Sequence, residues 1–483
     1  MKKNSLVKIL LITFISVVFL SWIIPTGQYE NGVFSSNGLN PTGIFDLVLI
    51  PFSVFDLALP SIIFILVVGA FYGVLNKTGV YSKLVDSVVK KFKESKLKFL
   101  VTVTIVMAIL SALVGLNFGF FIIIPFISAI LISMGFNKIT SMLSTIGSIL
   151  VGMVGSVYGT DIGYNFYKFF GYNSDYNMHS SLFPDAIIFL VIIISLLVLY
   201  VVKLGKADLK RKKDKDNEEE IMLLEKKTSK KSVKPLFALL IVTFVFILVG
   251  YFKWDAVIGG ADKTPMLDFY NNIMGIKIGD FAIVSSLLGT IPALGYFELS
   301  FISVFVLFMT IIIALVYKVK FEDFAEGIMN GLSKVMKLVI YVILSNLVIA
   351  CLYKNGSSST FAATIINYLL NISVKFNSAL TVFTSAVAGV LLNDFSTFMS
   401  NMYVPTRILT GSNVSVISLT FMIFKSIFGV VSMIAPTSVL LVTGLAYYNI
   451  SFKEWFKNVW KLLLQLLVVI ILIIVILTIF AFK

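Results

Sequence analysis

The chain of 483 residues is 58% hydrophobic and only 13% charged, with 44 phenylalanines and a net charge of +14. Soluble domains run near a quarter charged, so an ordinary globular protein is excluded, and recurring apolar runs of about eighteen residues or more are each long enough to cross a bilayer. The lysines gather in a few short loops, as the positive-inside rule requires, so the charge does not indicate nucleic acid; a single cysteine, Cys351, rules out an intrachain disulfide, and a single histidine, His179 in NSDYNMHSS, argues against a histidine-based metal or haem site.

The N-terminus, MKKNSLVKILLITFISVVFLSWIIP, begins with lysines and offers no small-residue cleavage site, which predicts an uncleaved first span entering from the cytoplasm. No Lys or Arg occurs from Ile9 to Pro60, so the loop after this span is expected outside. A second span, over about 59–77, returns inward to VYSKLVDSVVKKFKESKLK, which reads as an amphipathic helix on the cytoplasmic face. The run 203–234, centred on KRKKDKDNEEE, is expected to be a mobile, charged cytoplasmic linker dividing the protein in two. The organisation is thus 1–58 as first span and external loop, 59–202 as repeat 1, 203–235 as linker, 236–334 as further scaffold spans and loop, and 335–483 as repeat 2.

The two halves resemble each other. GVLNKTG (73–79) returns as ACLYKNG (350–356), VGLNFGF (114–120) as VLLNDFS (390–396), and SMGFNK (133–138) as LTGSNV (409–414), at a constant offset of 276 or 277 residues. The lysine-rich segment of the first copy is answered in the second by 354–377, which holds only Lys354 and Lys375, so the second copy is expected to enter from the opposite side. The fold class read from this pattern is an all-α polytopic membrane protein with inverted-topology repeats, broken helices or re-entrant hairpins, and about 10–12 membrane segments.

In both copies the next apolar stretch is interrupted, by GLNFG at 115–119 and LLNDFST at 391–397. Breaks at membrane depth survive only when packed in protein or lining a wet cavity, and half-helix ends beside them suit anions or cations. Asn117, Gly119, Asn393, Asp394, Ser396 and Thr397 are therefore the candidate site-lining residues. Stripes at helical spacing follow each break: Ser141, Ser144, Ser148, Gly152, Gly155 and Gly159 in the first copy, and Ser415, Ser418, Met422, Lys425, Gly429, Ser432 and Pro436 in the second. Close helix packing is the expected role of the glycines. A lysine deep in a span is costly. Lys425 is either the ion-pair partner of Asp394 or a fixed positive charge for a substrate carboxylate, and a pair that opens during the cycle would combine the two roles.

The opening SWIIPTGQYENGVF and the closing IAPTSVLLVTGLAYYNISFKEWFK resemble the YfcC/DcuC group, the anaerobic C4-dicarboxylate carrier family of the ion transporter superfamily, and the resemblance covers nearly the whole chain. It implies a homodimer of chains with scaffold and transport domains in a bacterial cytoplasmic membrane, with Thr437 and Ser438 beside the second hairpin. It also implies secondary transport of a C4-dicarboxylate, a short-chain fatty acid, or arginine and ornithine. Relatives commonly carry an acidic pair after a glycine in the first break, where this chain has Asn117-Phe118-Gly119-Phe120, and a Ser-Gly-Ser tip in the second, where it has Asn393-Asp394-Phe395-Ser396-Thr397. The expected function is secondary active transport of a small carboxylate or amino acid by alternating access. No cofactor is expected beyond a coupling Na⁺ or H⁺. An arginine/ornithine-type antiporter, a passive channel and a transport-inactive scaffold paralogue are the alternatives. An enzyme is disfavoured, since no grouping of acid, base and nucleophile lies in the spans.

Overall fold

The computed structural model describes residues 5–30, 32–115, 118–155, 183–211, 221–227, 229–258, 263–354, 358–410 and 414–482. Its helices are α1 (Ser5–Leu20), α2 (Ile44–Lys77), α3 (Tyr81–Lys91), α4 (Lys96–Val114), α5 (Ile124–Met134), α6 (Lys138–Met142), α7 (Ser148–Val154), α8 (Phe183–Lys210), α9 (Lys234–Tyr251), α10 (Trp254–Ile258), α11 (Pro265–Met274), α12 (Ile283–Leu288), α13 (Leu299–Val316), α14 (Phe321–Leu352), α15 (Phe361–Leu370), α16 (Ser378–Leu391), α17 (Phe395–Thr410), α18 (Val414–Ser432), α19 (Val439–Tyr448) and α20 (Phe452–Ala481). Two small hairpins, β1 (Thr26–Glu30) with β2 (Val33–Gly38) and β3 (Lys277–Ile278) with β4 (Phe281–Ala282), lie in connections. Among the described residues eight helices are long and apolar enough to cross a membrane, and shorter apolar helices flank both breaks. The protein is an all-α polytopic membrane protein.

The expected second span is longer than its apolar centre. α2 starts at Ile44, where Gly43 N–H donates to the Asp46 carboxylate at 2.8 Å, and it runs through Pro51 and Pro60. The expected boundary at 58/59 therefore falls inside a helix, and so does the one at 334/335, which lies within α14. Prolines in the first half of α2 and polar residues at the start of α14 read as loop, although an acidic first turn suits a helix N-terminus. The helices keep the spacing of the sequence matches: α14 begins at Phe321, 277 positions after Ile44 (321 − 44).

α2 and α14 run antiparallel in close contact, because each carries a glycine pair four residues apart. A Cβ on Gly73 would lie 2.0 Å from the Gly327 carbonyl oxygen, and one on Gly331 would lie 2.0 Å from that of Gly69. Ion pairs close both ends of the crossing, Lys77–Glu326 at 2.6 Å and Lys354–Asp46 at 2.7 Å. The two lysines are the pair that the sequence repeat matches.

Around this crossing gather α1, α13 and, through α13, α9. A second group forms from α4, α7, α8, α16, α18 and α20, with α18 the most enclosed of the long helices, 83% buried. α3 connects the groups on the lysine-rich face, where it packs on α5, and α15 connects them on the opposite face, where it packs on α16 and α17. As the sequence predicts, α3 is amphipathic: Tyr81, Leu84 and Val85 are buried while Lys83, Lys90 and Lys91 are exposed.

The linker departs from expectation. Residues 212–220 and 228 lie outside the described set, but residues 221–227 and 229–233 are docked on the helices. Leu223 is 1% exposed. The Asn76 side chain donates to its carbonyl at 3.1 Å and accepts from Glu225 N–H at 3.0 Å. Lys334 donates to Glu225 at 2.7 Å, and this bond is the main reason the Glu225 carboxyl sits below its usual range. Charge composition hid this docking, because the apolar IMLL between the charged stretches is short.

Candidate functional site

The first break begins where α4 ends at Gly115, which adopts φ +91°, a conformation glycine tolerates and L side chains avoid. A 3₁₀ turn, Phe118–Ile122, follows, and α5 starts with Pro125 in its first turn. Phe120, Phe121 and Ile122 are buried, and Phe121 meets Tyr447 edge-on at 5.8 Å. Tyr72 donates to the Ile122 carbonyl at 2.6 Å, satisfying a backbone group that the break releases. Ser128 on α5 donates to the Tyr447 hydroxyl at 3.2 Å. Gly119 is buried in this aromatic plug. Asn117 lies outside the described residues.

At the second break α16 stops at Leu391 and α17 starts at Phe395. Asn393 is 6% exposed and folds its amide back, donating to the Gly389 carbonyl at 2.7 Å and to the Ser432 hydroxyl at 3.1 Å. Thr437 donates to the Val390 carbonyl at 2.5 Å. The end of α16 is thus bound to the residues at the end of α18, bringing Asn393, Ser432 and Thr437 together. Ser438, also buried, precedes α19 as its N-cap residue.

Asp394 points the other way. It is exposed, and its carboxylate accepts from Thr397 N–H at 2.8 Å and Thr397 Oγ1 at 2.7 Å, which caps the start of α17. Ser396 beside it is exposed as well. Ser400 and Asn401, one turn on, extend the polar face, with Ser400 exposed and Asn401 donating to the Tyr353 hydroxyl at 2.5 Å. Neither residue was singled out from the sequence, although both sit in the same polar stretch and share the three- to four-residue spacing that revealed the stripes.

Lys425 is fully enclosed in α18, at 0% exposure. Its ammonium lies 5.3 Å from the centre of the Phe421 ring. Neighbouring rings tie α17 to α18: Phe398 to Phe424 at 5.6 Å, and Phe395 to Phe428 at 4.8 Å. No Asp394–Lys425 ion pair forms among the described residues, because the carboxylate is held by Thr397 on an exposed turn while the lysine is buried. α18 ends at Ser432, which places Lys425 seven residues (432 − 425), about 10 Å, from the residues bound to the second break.

The two stripe-bearing helices, α7 and α18, pack together. A Cβ on Gly429 would stand 2.8 Å from Val154, and one on Gly152 would stand 2.2 Å from the Ala108 carbonyl oxygen, so both glycines serve close helix packing as expected. Ser141, Ser144 and Ser148 are buried around a π turn at Leu143–Gly147, and the hydroxyls of Ser141 and Ser144 have no hydrogen-bond partner among the described residues. Among the described residues no cluster of His, Cys, Asp and Glu has the makings of a metal site.

Long apolar helices, paired breaks and one enclosed lysine define a polytopic membrane protein of the carrier class. The family model for C4-dicarboxylate anaerobic carriers, DcuC, matches residues 4–479, and the chain belongs to that family of transporters rather than to an enzyme family. Among solved structures, the chain is similar to the YdaH transporter of Alcanivorax borkumensis, with 12% identity, coverage of 96% of this chain and 97% of that one, and a TM-score of 0.40. It is also similar to Neisseria gonorrhoeae MtrF, described as illuminating a class of antimetabolite efflux pumps, with 14% identity, coverage of 98% and 95%, and a TM-score of 0.40. No curated protein matches the sequence.

Proposed function

We propose that the protein is a secondary active transporter that moves a small carboxylate or amino acid by alternating access, driven by an ion gradient or by exchange. The carrying observation is Lys425, a side chain that is ionised at neutral pH in water, enclosed in a span beside a helix break. Such a residue marks a substrate or ion path by default. In this reading Lys425 supplies the fixed positive charge, and Asn393, Asp394, Ser396, Thr397, Thr437 and Ser438 shape the route to it, with Asn117 and Gly119 at the first break.

The antiparallel α2–α14 crossing and the constant offset of the sequence matches support an inverted repeat. The group around α18 then moves against the group around α2 and α14, with α3 and α15 as connections. The lysine-rich face is assigned to the cytoplasm of a bacterium, with the N-terminus on that side, and the working unit to a homodimer. Na⁺ or H⁺ is the assigned coupling ion.

Reconstituted protein preloaded with a panel of carboxylates and amino acids tests the reading. Trans-acceleration of labelled substrate is expected for the native chain, with loss in Lys425→Ala at unchanged protein level. Flux without trans-acceleration would identify a channel, and normal exchange by the variant would remove Lys425 from the mechanism.

A further inference from the structure

The corner where α2 passes into α3 is built to hold extended backbone. Asn76, 3% exposed, places its amide so that Nδ2 donates to Leu223 O at 3.1 Å while Oδ1 accepts from Glu225 N–H at 3.0 Å. This two-point contact is what a neighbouring β-strand would offer to a peptide. Two residues further along the held segment, the Ser82 hydroxyl repeats the pattern, donating to Lys227 O at 2.7 Å and accepting from Lys227 N–H at 3.2 Å. Lys83 then donates to the carbonyls of Ser229 at 3.3 Å and Lys231 at 3.0 Å. These contacts read backbone, and Leu223 supplies the buried side-chain anchor.

Leu223 also adopts φ +68°, a left-handed conformation that costs a leucine on the order of 1 kcal/mol. A segment of free linker would relax from it, so the clamp and the buried side chain hold it there. The same segment is fastened to α14, which packs on α2, and to the end of α13. Glu225 pairs with Lys334 on α14 at 2.7 Å, Lys231 donates to Tyr317 O at 2.5 Å, and the Tyr317 hydroxyl donates to Ser232 O at 2.8 Å. Residues 221–227 and 229–233 therefore join the first turn of α3 to α14 and to the turn before it.

We propose that Asn76, Ser82 and Lys83 form a peptide-binding clamp whose occupant, residues 221–227 and 229–233 of the chain itself, is a latch on the movement of α3. α3 joins α2 to the break-bearing helix α5, so displacement of the break-bearing group relative to α2 and α14 pulls on the held segment. The opposite face carries a matching device. There the β1–β2 hairpin bridges to the start of α15 through Gly27 N–H to Thr360 O at 3.1 Å and Thr360 N–H to Gly27 O at 3.0 Å. That hairpin precedes α2 directly, whereas the latch is the join between the two halves, which makes the latch the device able to couple them.

The latch role rests on the carrier reading, and the clamp does not, so the experiment has two arms. In detergent-purified full-length protein, Asn76→Ala combined with Ser82→Ala removes four backbone-directed hydrogen bonds. Trypsin cleavage at Lys226, Lys227, Lys230 and Lys231 is expected to rise at least about tenfold while the protein stays monodisperse. Unchanged cleavage overturns the clamp whatever the protein transports. In the second arm, Ser82→Cys with Lys227→Cys in a Cys351→Ala background is oxidised and then reduced in proteoliposomes. Exchange is expected to stop on oxidation and return on reduction. Full exchange in the cross-linked protein overturns the latch and leaves the carrier reading standing. Absence of exchange in the native chain as well overturns both latch and carrier.

Discussion

At the first break the chain leaves α4 at Gly115 and passes through Phe120 and Phe121, which are packed under Tyr72 and Tyr447. At the second it leaves α16 at Leu391 and passes through Asn393 and Asp394, with Asp394, Ser396 and Ser400 exposed. The two breaks lie at the offset of the sequence matches, yet among the described residues one is filled with aromatic side chains and the other is polar and open. At the offsets of 277 and 276 the positions matching Lys425 are Ser148 and Ile149, both buried and uncharged on α7. In the proposed carrier reading, the charge chemistry belongs to the second break alone.

Lys425→Ala should make the largest difference between the halves, abolishing exchange, whereas Ser148→Ala should leave exchange within about twofold. Asp394 separates charge from capping. Asp394→Asn keeps a cap-forming side chain and should lower exchange roughly tenfold with unchanged melting temperature, while Asp394→Ala should in addition cost about 1 kcal/mol of stability. Equal exchange in native protein and Asp394→Asn would reduce this residue to a helix cap. At the first break, Tyr72→Phe strands the Ile122 carbonyl and should cost about 1–2 kcal/mol in a thermal melt, with exchange nearly unchanged.

The smallest effect is pH-dependent and lies on the lysine-rich face. Glu225 is held below its usual range mainly by the Lys334 hydrogen bond, so the folded state binds its proton less readily than the unfolded state. Its contribution is therefore present above the unfolded value, about 4.3, and lost as pH falls through the folded one. Hydrogen exchange at Leu223–Lys227 should quicken on acidification through that window, and the Glu225→Gln protein should lack the transition. On the opposite face burial pushes the Tyr29 hydroxyl up to about 12, so that hydroxyl adds nothing to the acid transition.

Much of this was legible in the sequence because it is carried by spacing. The constant offset of GVLNKTG and ACLYKNG, the two interrupted spans and the stripes through Lys425 are periodic signals, and the existence of both breaks and the close-packing role of Gly152 follow from them. What spacing does not carry is side-chain direction at a helix end. Asp394 and Lys425 read as partners because opposite charges in an apolar stretch demand compensation, but a carboxylate at a helix start satisfies itself locally through Thr397. The docked linker was hidden for a related reason: its anchors are backbone groups and one leucine, held by Asn76 and Ser82 nearly 150 residues earlier, and charge composition is silent about both.

The contrast between an open second break and a filled first one is tested most directly by thiol accessibility. In a Cys351→Ala background, Ser396→Cys and Gly119→Cys are treated with a small, membrane-impermeant maleimide in proteoliposomes and in permeabilised vesicles. Ser396→Cys should label from at least one side, while Gly119→Cys stays unlabelled until the protein is denatured. Equal labelling at the two positions would show that both breaks are open to water, and would contradict the assignment of the charge chemistry to the second copy.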